Sequence, residues 1–338
     1  MMASIGVIGA GTWGTALAVL LNGRGHQAEI WSAIRREVED LSSTRIHPNL
    51  PELRIPDEIG FTADLGEVMK DKDLLVLAVP SVFVRETARK MRSYLKKGQI
   101  ITNVAKGIEE STLMTLSQII EEELPGAEIT VLSGPSHAEE VSKGLPTTCV
   151  AGARKKHVAE FVQSIFMNQT FRIYTSPDVL GIELGGALKN VIALAAGMAD
   201  GLGYGDNTKA ALITRGIAEI SRLGMEMGGK LETFAGLTGI GDLIVTCASM
   251  HSRNRRAGIL IGRGCTMEEA MAEVKMVVEG VYSAKAALAL SRKHCVSMPI
   301  VEQVNEILFN GRSAKEAVSE LMLRDKKIEN SGLEWKEA

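Results

Sequence analysis

The apolar positions change period once along this chain. Through about residue 177, short apolar runs alternate with amphipathic stretches. Ser4-Ile5-Gly6-Val7-Ile8, Gln27 to Trp31, Phe61-Thr62, Asp73 to Pro80, Gln99 to Val104 and Ile129 to Leu132 read as strands. Asp73 to Pro80 is an uninterrupted apolar run bounded by a charge and a proline, as expected of a strand covered on both faces. Between the runs, Thr15 to Leu21, Ala63 to Lys70, Ser81 to Leu95, Ser111 to Glu123 and Arg154 to Met167 read as helices, and His47 to Pro56 as a proline-punctuated loop. Thr147 to Val150 and Phe171 to Tyr174 add two more strands. Beyond Thr175-Ser176-Pro177-Asp178 the alternation stops, and the remainder is Ala/Leu/Gly-rich with a helical period. This predicts an N-terminal Rossmann-type doubly wound α/β domain over 1–177, an all-α domain over 178–330 and a tail over 331–338. Ser176 or Asp178 is expected near the N-cap of the first long helix.

Composition narrows the class without naming a chemistry. At 338 residues, 45% hydrophobic and 23% charged, the chain suits a globular protein of two domains. A net charge of −3 argues against a nucleic-acid surface. No stretch reaches ~18 uninterrupted apolar residues, so no membrane span is expected, and the start lacks a basic leader. The cysteines at 149, 247, 265 and 295 are scattered, as befits reduced thiols in the cytoplasm. The six histidines show no metal-ligand spacing, so no metal is expected.

The chemistry starts at the first strand's end. Gly9-Ala10-Gly11-Thr12-Trp13-Gly14 fits G-x-G-x-x-G between strand and helix. Gly9 permits the tight turn, Gly11 a close approach to a pyrophosphate, and Gly14 helix–strand packing, while the helix N-terminus suits phosphate. An acidic residue ending the second strand would select the ribose 2′-hydroxyl of NAD. Ser32 and Ala33 stand there instead, followed by Arg35 and Arg36, which predicts NADPH as the preferred cofactor with NADH possible. Lys106 follows a strand's carboxyl end, where open sheets place their ligand crevice. The Ser133-Gly134-Pro135-Ser136-His137-Ala138 loop follows another.

In the helical half, Lys189 and Asn190 are embedded among small and apolar residues from Gly181 to Gly197. Partial desolvation there would lower the lysine's pKa into the range useful for proton transfer. Asp206 to Gly216 opens another helix, preceded by capping residues. Gly236 to Leu243 reads as a glycine-rich loop delivering Asp242, with Thr246 on the same face if the segment is helical. Ser252-Arg253-Asn254-Arg255-Arg256 is a dense set of donors suited to a small molecule's phosphate.

Taken in order, these stretches resemble the soluble, bacterial-type NAD(P)-dependent sn-glycerol-3-phosphate dehydrogenases. The most specific are Gly-Ala-Leu-Lys-Asn at 186–190 and Ser-Arg-Asn-Arg-Arg at 252–256. Ala211 to Gly216, Gly239 to Leu243, Cys247 and Val278-Glu279-Gly280 extend the likeness. The resemblance implies reversible conversion of dihydroxyacetone phosphate to sn-glycerol 3-phosphate, feeding glycerophospholipid synthesis, by a homodimer. It carries over Lys189 as the proton-transferring residue in contact with substrate, and Lys106, Gly134, Ser136, Asp242, Ser252, Arg253 and Asn254 as further substrate contacts. For the cofactor it carries over Thr12, Trp13, a polar group near Arg35, Lys106, Ala138, Arg253, Val277 and Glu279. In this scheme Lys106 polarises the reacting oxygen and Asp242 orients an ammonium. His137 receives no role. Two other readings stay open: a two-domain dehydrogenase of a 3-hydroxy acid or sugar-acid phosphate, and a non-catalytic NAD(P)-binding sensor.

Overall fold

The computed structural model describes residues 2–326, Ile328 and Glu329. The expected tail over 331–338 lies outside the described residues. The N-terminal elements run β1 Ser4–Ile8, α1 Thr12–Gly23, β2 Gln27–Trp31, α2 Arg35–Thr44, β3 Ile46–His47, β4 Leu50–Arg54, β5 Gly60–Thr62, α3 Leu65–Met69 and β6 Leu74–Leu77. They continue with α4 Val84–Met91, β7 Ile100–Asn103, α5 Leu116–Glu123, β8 Glu128–Ser133, α6 Ala138–Val141, β9 Thr147–Ala153, α7 Lys156–Phe166 and β10 Phe171–Ser176.

Eight strands form one sheet in the order β10-β9-β8-β7-β6-β1-β2-β5. From β5 to β8 all pairings are parallel; β9 runs antiparallel to β8, and β10 parallel to β9. The buried β6, all four residues of it apolar, is hydrogen-bonded between β1 and β7. Chain order reverses direction across the sheet between β1 and β6, so a crevice opens beyond their carboxyl ends.

Three local expectations are corrected. The segment from His47 to Pro56 is no loop: β3 and β4 pair as a small antiparallel hairpin outside the main sheet. Its prolines fall at Pro48 in the turn and Pro51 on a two-stranded ribbon, where a missing N–H is tolerated. The helix expected from Ser111 begins only at Leu116, fixed by a capping box between Thr115 and Gln118. Gly205, with no side-chain cap, stands at the N-cap of the helix beginning at Asp206.

The second half is helical: α8 Val179–Gly201, α9 Asp206–Glu226, α10 Leu231–Phe234, α11 Asp242–Ala248, α12 Arg253–Gly262, α13 Met267–Val274, α14 Glu279–Lys293, α15 Pro299–Phe309 and α16 Ala314–Met322. Asp178 is the N-cap of α8 and accepts from the Gly181 N–H. By length and hydropathy alone α8 could span a membrane, but 89% of its 18-residue apolar stretch is buried inside the protein, where the helix forms the axis of the helical core. The stretch Leu231–Ala248 passes the same test of composition, yet it bends through a π-turn and carries buried Asp242.

α12 lies against α8 at backbone distance. A Cβ added at Gly258 would stand 2.2 Å from the Leu194 carbonyl oxygen, and one at Gly197 2.2 Å from that of Arg255. Only glycine allows this approach. It brings the α12 N-terminus, with Ser252 to Asn254, beside Lys189 and Asn190.

Candidate active site

A cleft of about 1290 Å³ runs from the Gly9–Trp13 turn across to the helical half. This exceeds the ~300–1,000 Å³ typical of small-ligand pockets and leaves room for a dinucleotide beside a second small molecule. Its walls include Val79, Pro80 and Phe83 after β6, Lys106 after β7, Ser136 to Ala138 after β8, and Lys189, Asn190 and Ser252 to Asn254 from the helical half.

The turn fits a dinucleotide on its own geometry. Gly9 has φ +124°, closed to other residues without strain, and its N–H bonds to the Trp31 carbonyl at 3.0 Å. A Cβ at Gly14 would lie 2.1 Å from the Gly9 carbonyl oxygen, so Gly14 packs helix on strand and is not part of the cleft wall. Nothing lies within 4 Å of a Cβ built at Gly11, which leaves the backbone open to a ligand. Thr12 Oγ1, at the start of α1, is buried without a hydrogen-bond partner. Free N–H groups of the first helical turn and this orphaned hydroxyl form a cradle for phosphate.

At the cleft floor, charges from both halves converge. Asp242 opens α11, and its carboxylate is buried. Lys106 Nζ reaches Asp242 Oδ2 at 2.6 Å and the Gly134 carbonyl at 3.0 Å. Lys189 Nζ reaches Asp242 Oδ1 at 2.6 Å and Thr246 Oγ1 at 2.6 Å. Thr246 in turn donates to the Asp242 carbonyl, so the two do share a helical face. The segment before Asp242 is a correction: Leu237–Gly241 is a π-helical turn running into α11, so a helix and not a loop positions the carboxylate.

Burial pushes the Lys189 ammonium down to about 8; Asp242 opposes the shift and the like charge of Lys106 adds to it. For Asp242 burial favours the neutral acid, but Lys106 and Lys189 prevail and hold it ionised below the usual carboxylate range.

The other expected residues separate into those the cleft gathers and those it does not. Gly9, Gly11, Thr12, Trp13, Arg36, Ser136, Ala138, Ser252, Arg253, Asn254, Val277 and Glu279 line it. Gly134, at φ +145°, stands behind the wall and holds Lys106 and Ser136 through its carbonyl. Ser252 caps α12, accepting from the Arg255 N–H. Asn254 joins helices: its Nδ2 donates to Asn190 Oδ1 at 2.9 Å, and its Oδ1 accepts from the Gly280 N–H at 2.8 Å. Arg253 donates to the Val277 carbonyl at 3.2 Å. Glu279 binds Ser81 across the cleft, through the backbone N–H at 3.0 Å and the hydroxyl.

Three expectations fail in the structure. Arg35 is exposed and is not part of the cleft wall. Of the arginines after Ser252 only Arg253 faces the cleft: Arg255 is tied to Asp200 at 2.7 Å, and Arg256 is exposed. Nor is the end of β2 without a carboxylate. Glu37, in the first turn of α2, folds back so that Ser32 Oγ donates to its Oε2. Sequence reading also passed over Phe83, half-exposed in the cleft wall, and His137. The Nε2 of His137 is buried without a partner, and burial, with the charge of Lys189, lowers its pKa to about 4. A glycine-rich turn, a switch-point crevice and a lysine-bearing helical half define the class: a two-domain, nicotinamide-nucleotide-dependent oxidoreductase.

Comparison with known proteins narrows the class. Residues 4–159 match the NAD-dependent glycerol-3-phosphate dehydrogenase N-terminus and residues 178–319 the C-terminus of the same family. The chain is 66% identical to a glycerol-3-phosphate dehydrogenase (NAD(P)+) of Agathobacter rectalis, over 99% of this chain and 100% of that one. It is 60% identical to the Fusobacterium nucleatum protein of the same name, over 97% and 99%. The crystal structure of glycerol-3-phosphate dehydrogenase from Coxiella burnetii superposes with a TM-score of 0.92 at 34% identity, covering 96% of this chain and 99% of that one. The chain belongs to the NAD-dependent glycerol-3-phosphate dehydrogenase family.

Proposed function

We propose that this protein reduces dihydroxyacetone phosphate reversibly to sn-glycerol 3-phosphate with NAD(P)H, preferring NADPH, and so feeds glycerophospholipid synthesis. The observation that carries the reading is Asp242 holding Lys106 and Lys189 at the floor of a dinucleotide-sized cleft in a chain of this family.

The N–H groups at the start of α1 and Thr12 hold the cofactor's phosphates. When bound, the nicotinamide supplies the hydride. Arg253 binds the substrate's phosphate, and the side chains of Ser252 and Asn254 keep the α12 N-terminus in place. Lys189, as ammonium, gives its proton to the oxygen that becomes the alkoxide; in reverse, its neutral amine takes the proton back. Lys106 adds positive charge beside the same oxygen. Asp242 fixes both ammonium groups so that neither must reorganise as charge develops.

The lean toward NADPH rests on Arg36, which lines the cleft just beyond the end of β2. The protein is proposed to work in the cytoplasm; its four cysteines are free thiols. It is proposed to be a homodimer, in which apolar side chains such as Met225, Leu231 and Ile244, exposed on α9 and on the helices packed against it, find cover. Sedimentation at the mass of a single chain contradicts that assembly.

Dihydroxyacetone phosphate should drive oxidation of NADPH, while 3-hydroxy acids and sugar-acid phosphates should not drive its reverse. Turnover only with the latter moves the protein to another dehydrogenase class. Tight nucleotide binding with no turnover makes it a sensor.

A further inference from the structure

The carboxyl end of β2 carries two opposed signals. Arg36 lines the cleft, but its side chain is 87% exposed and stands 3.8 Å from Asp40. Glu37 lines the cleft one residue on, and it is built in. Its Oε2 accepts from Ser32 Oγ, and Ser32, itself buried, also accepts from the Ile34 N–H at 3.1 Å. Glu37 Oε1 accepts no hydrogen bond among the described residues. Buried His47, near Glu37 and the Ala10 carbonyl, lines the same cleft. Gly9 ties the glycine turn to Trp31, so this carboxylate sits where a doubly wound sheet places the adenosine ribose.

We propose that Glu37 is the specificity-determining residue at the ribose 2′ position, its carboxylate accepting from the free 2′-hydroxyl of NADH and opposing the 2′-phosphate of NADPH. This rests on the cleft being the dinucleotide site. Arg36 draws the 2′-phosphate from solvent, where its charge is screened. Glu37 acts from a fixed, partly buried position, where an unfavourable charge is screened less. The neighbouring pair thus gives a chain that takes both cofactors, with Glu37 setting how far NADPH leads. The acid is displaced six residues beyond the strand, and the first turn of α2 returns it to the strand's end.

The test is calorimetric binding of ADP-ribose and of its 2′-phosphate, which carry the recognition elements and cannot react. In Glu37→Gln the ratio of dissociation constants should move toward the 2′-phosphate by about 10- to 100-fold. Ser32→Ala, which frees the carboxylate, should move it the same way by less, and stands in if the first variant does not fold. Arg36→Ala should move it the opposite way. A ratio within about threefold of wild type in both Glu37→Gln and Ser32→Ala overturns the assignment while leaving the cleft as the nucleotide site. Failure of both ligands to bind wild-type protein overturns the dinucleotide reading, and this proposal with it.

Discussion

Lys106 and Lys189 come from different domains and meet on one carboxylate, each 2.6 Å from its own oxygen of Asp242. The pairing satisfies a buried acid and keeps two positive charges adjacent. Together they make a site in which burial and like charge bring one ammonium close to neutral pH.

The first consequence concerns pH. Lys189 must be protonated to reduce the carbonyl, so the forward rate should hold below pH about 8 and fall above it; the reverse oxidation should rise over the same range. Asp242→Asn removes the charge that opposes this lowering. The breakpoint should therefore move to lower pH in both directions, together with a loss of kcat. A pH–rate profile for Asp242→Asn with an unmoved breakpoint would separate Asp242 from Lys189.

Arg253 and Arg255 should behave differently although two residues apart. Arg253→Ala removes a charge-assisted phosphate contact and should raise the substrate KM about 10- to 100-fold. Arg255→Ala breaks a pair with Asp200 outside the cleft and should lower Tm while leaving KM near wild type. Steady-state kinetics on both variants decide it; equal effects on KM would mean that the cluster binds phosphate as a unit.

That contrast also marks what the sequence could show. The glycine turn, the apolar run of β6 and the loss of strand period near residue 178 are local signals, and each needs only neighbouring residues to be read. Lys189 was legible because apolar residues surround it along its own helix. Arg255 was not, because its partner Asp200 lies 55 residues away and no local pattern separates it from Arg253. Glu37 was hidden likewise: it belongs to a helix, and only folding returns it to the end of β2. The β3–β4 hairpin was obscured by prolines that an isolated two-stranded ribbon accommodates. The π-turn before Asp242 looks like a loop because its glycines serve close packing; a Cβ at Gly239 would stand 2.0 Å from the Phe234 carbonyl oxygen.

Packing at the α8–α12 crossing should be equally unforgiving. Gly258→Ala sets a methyl 2.2 Å from the Leu194 carbonyl oxygen, and the helices must separate. The expected loss is about 1–3 kcal/mol, seen as a lower urea midpoint. Because α12 carries Arg253, substrate KM should rise as well. A rise in KM without loss of stability would contradict this packing account.

Far from the cleft, Glu219 gives a stability test. It is buried and accepts from the Ile300 and Val301 N–H groups at the start of α15, and burial pushes its carboxyl up to about 7. Between pH ~4.5 and 7 the folded protein then holds a proton that the unfolded chain has lost. Stability from this group is therefore present at low pH and lost as pH rises through 7. Glu219→Gln should flatten that dependence and gain about 1–3 kcal/mol at pH 8 relative to wild type. The same change in urea midpoint between pH 5 and pH 8 in wild type and Glu219→Gln would contradict it.

The central claim is that Lys189 moves the proton that accompanies hydride transfer. Lys189→Ala, assayed for NADPH oxidation with saturating dihydroxyacetone phosphate, should lose about 10²–10⁴-fold in kcat while binding NADPH as wild type does. A kcat near the wild-type value in that variant would contradict the account.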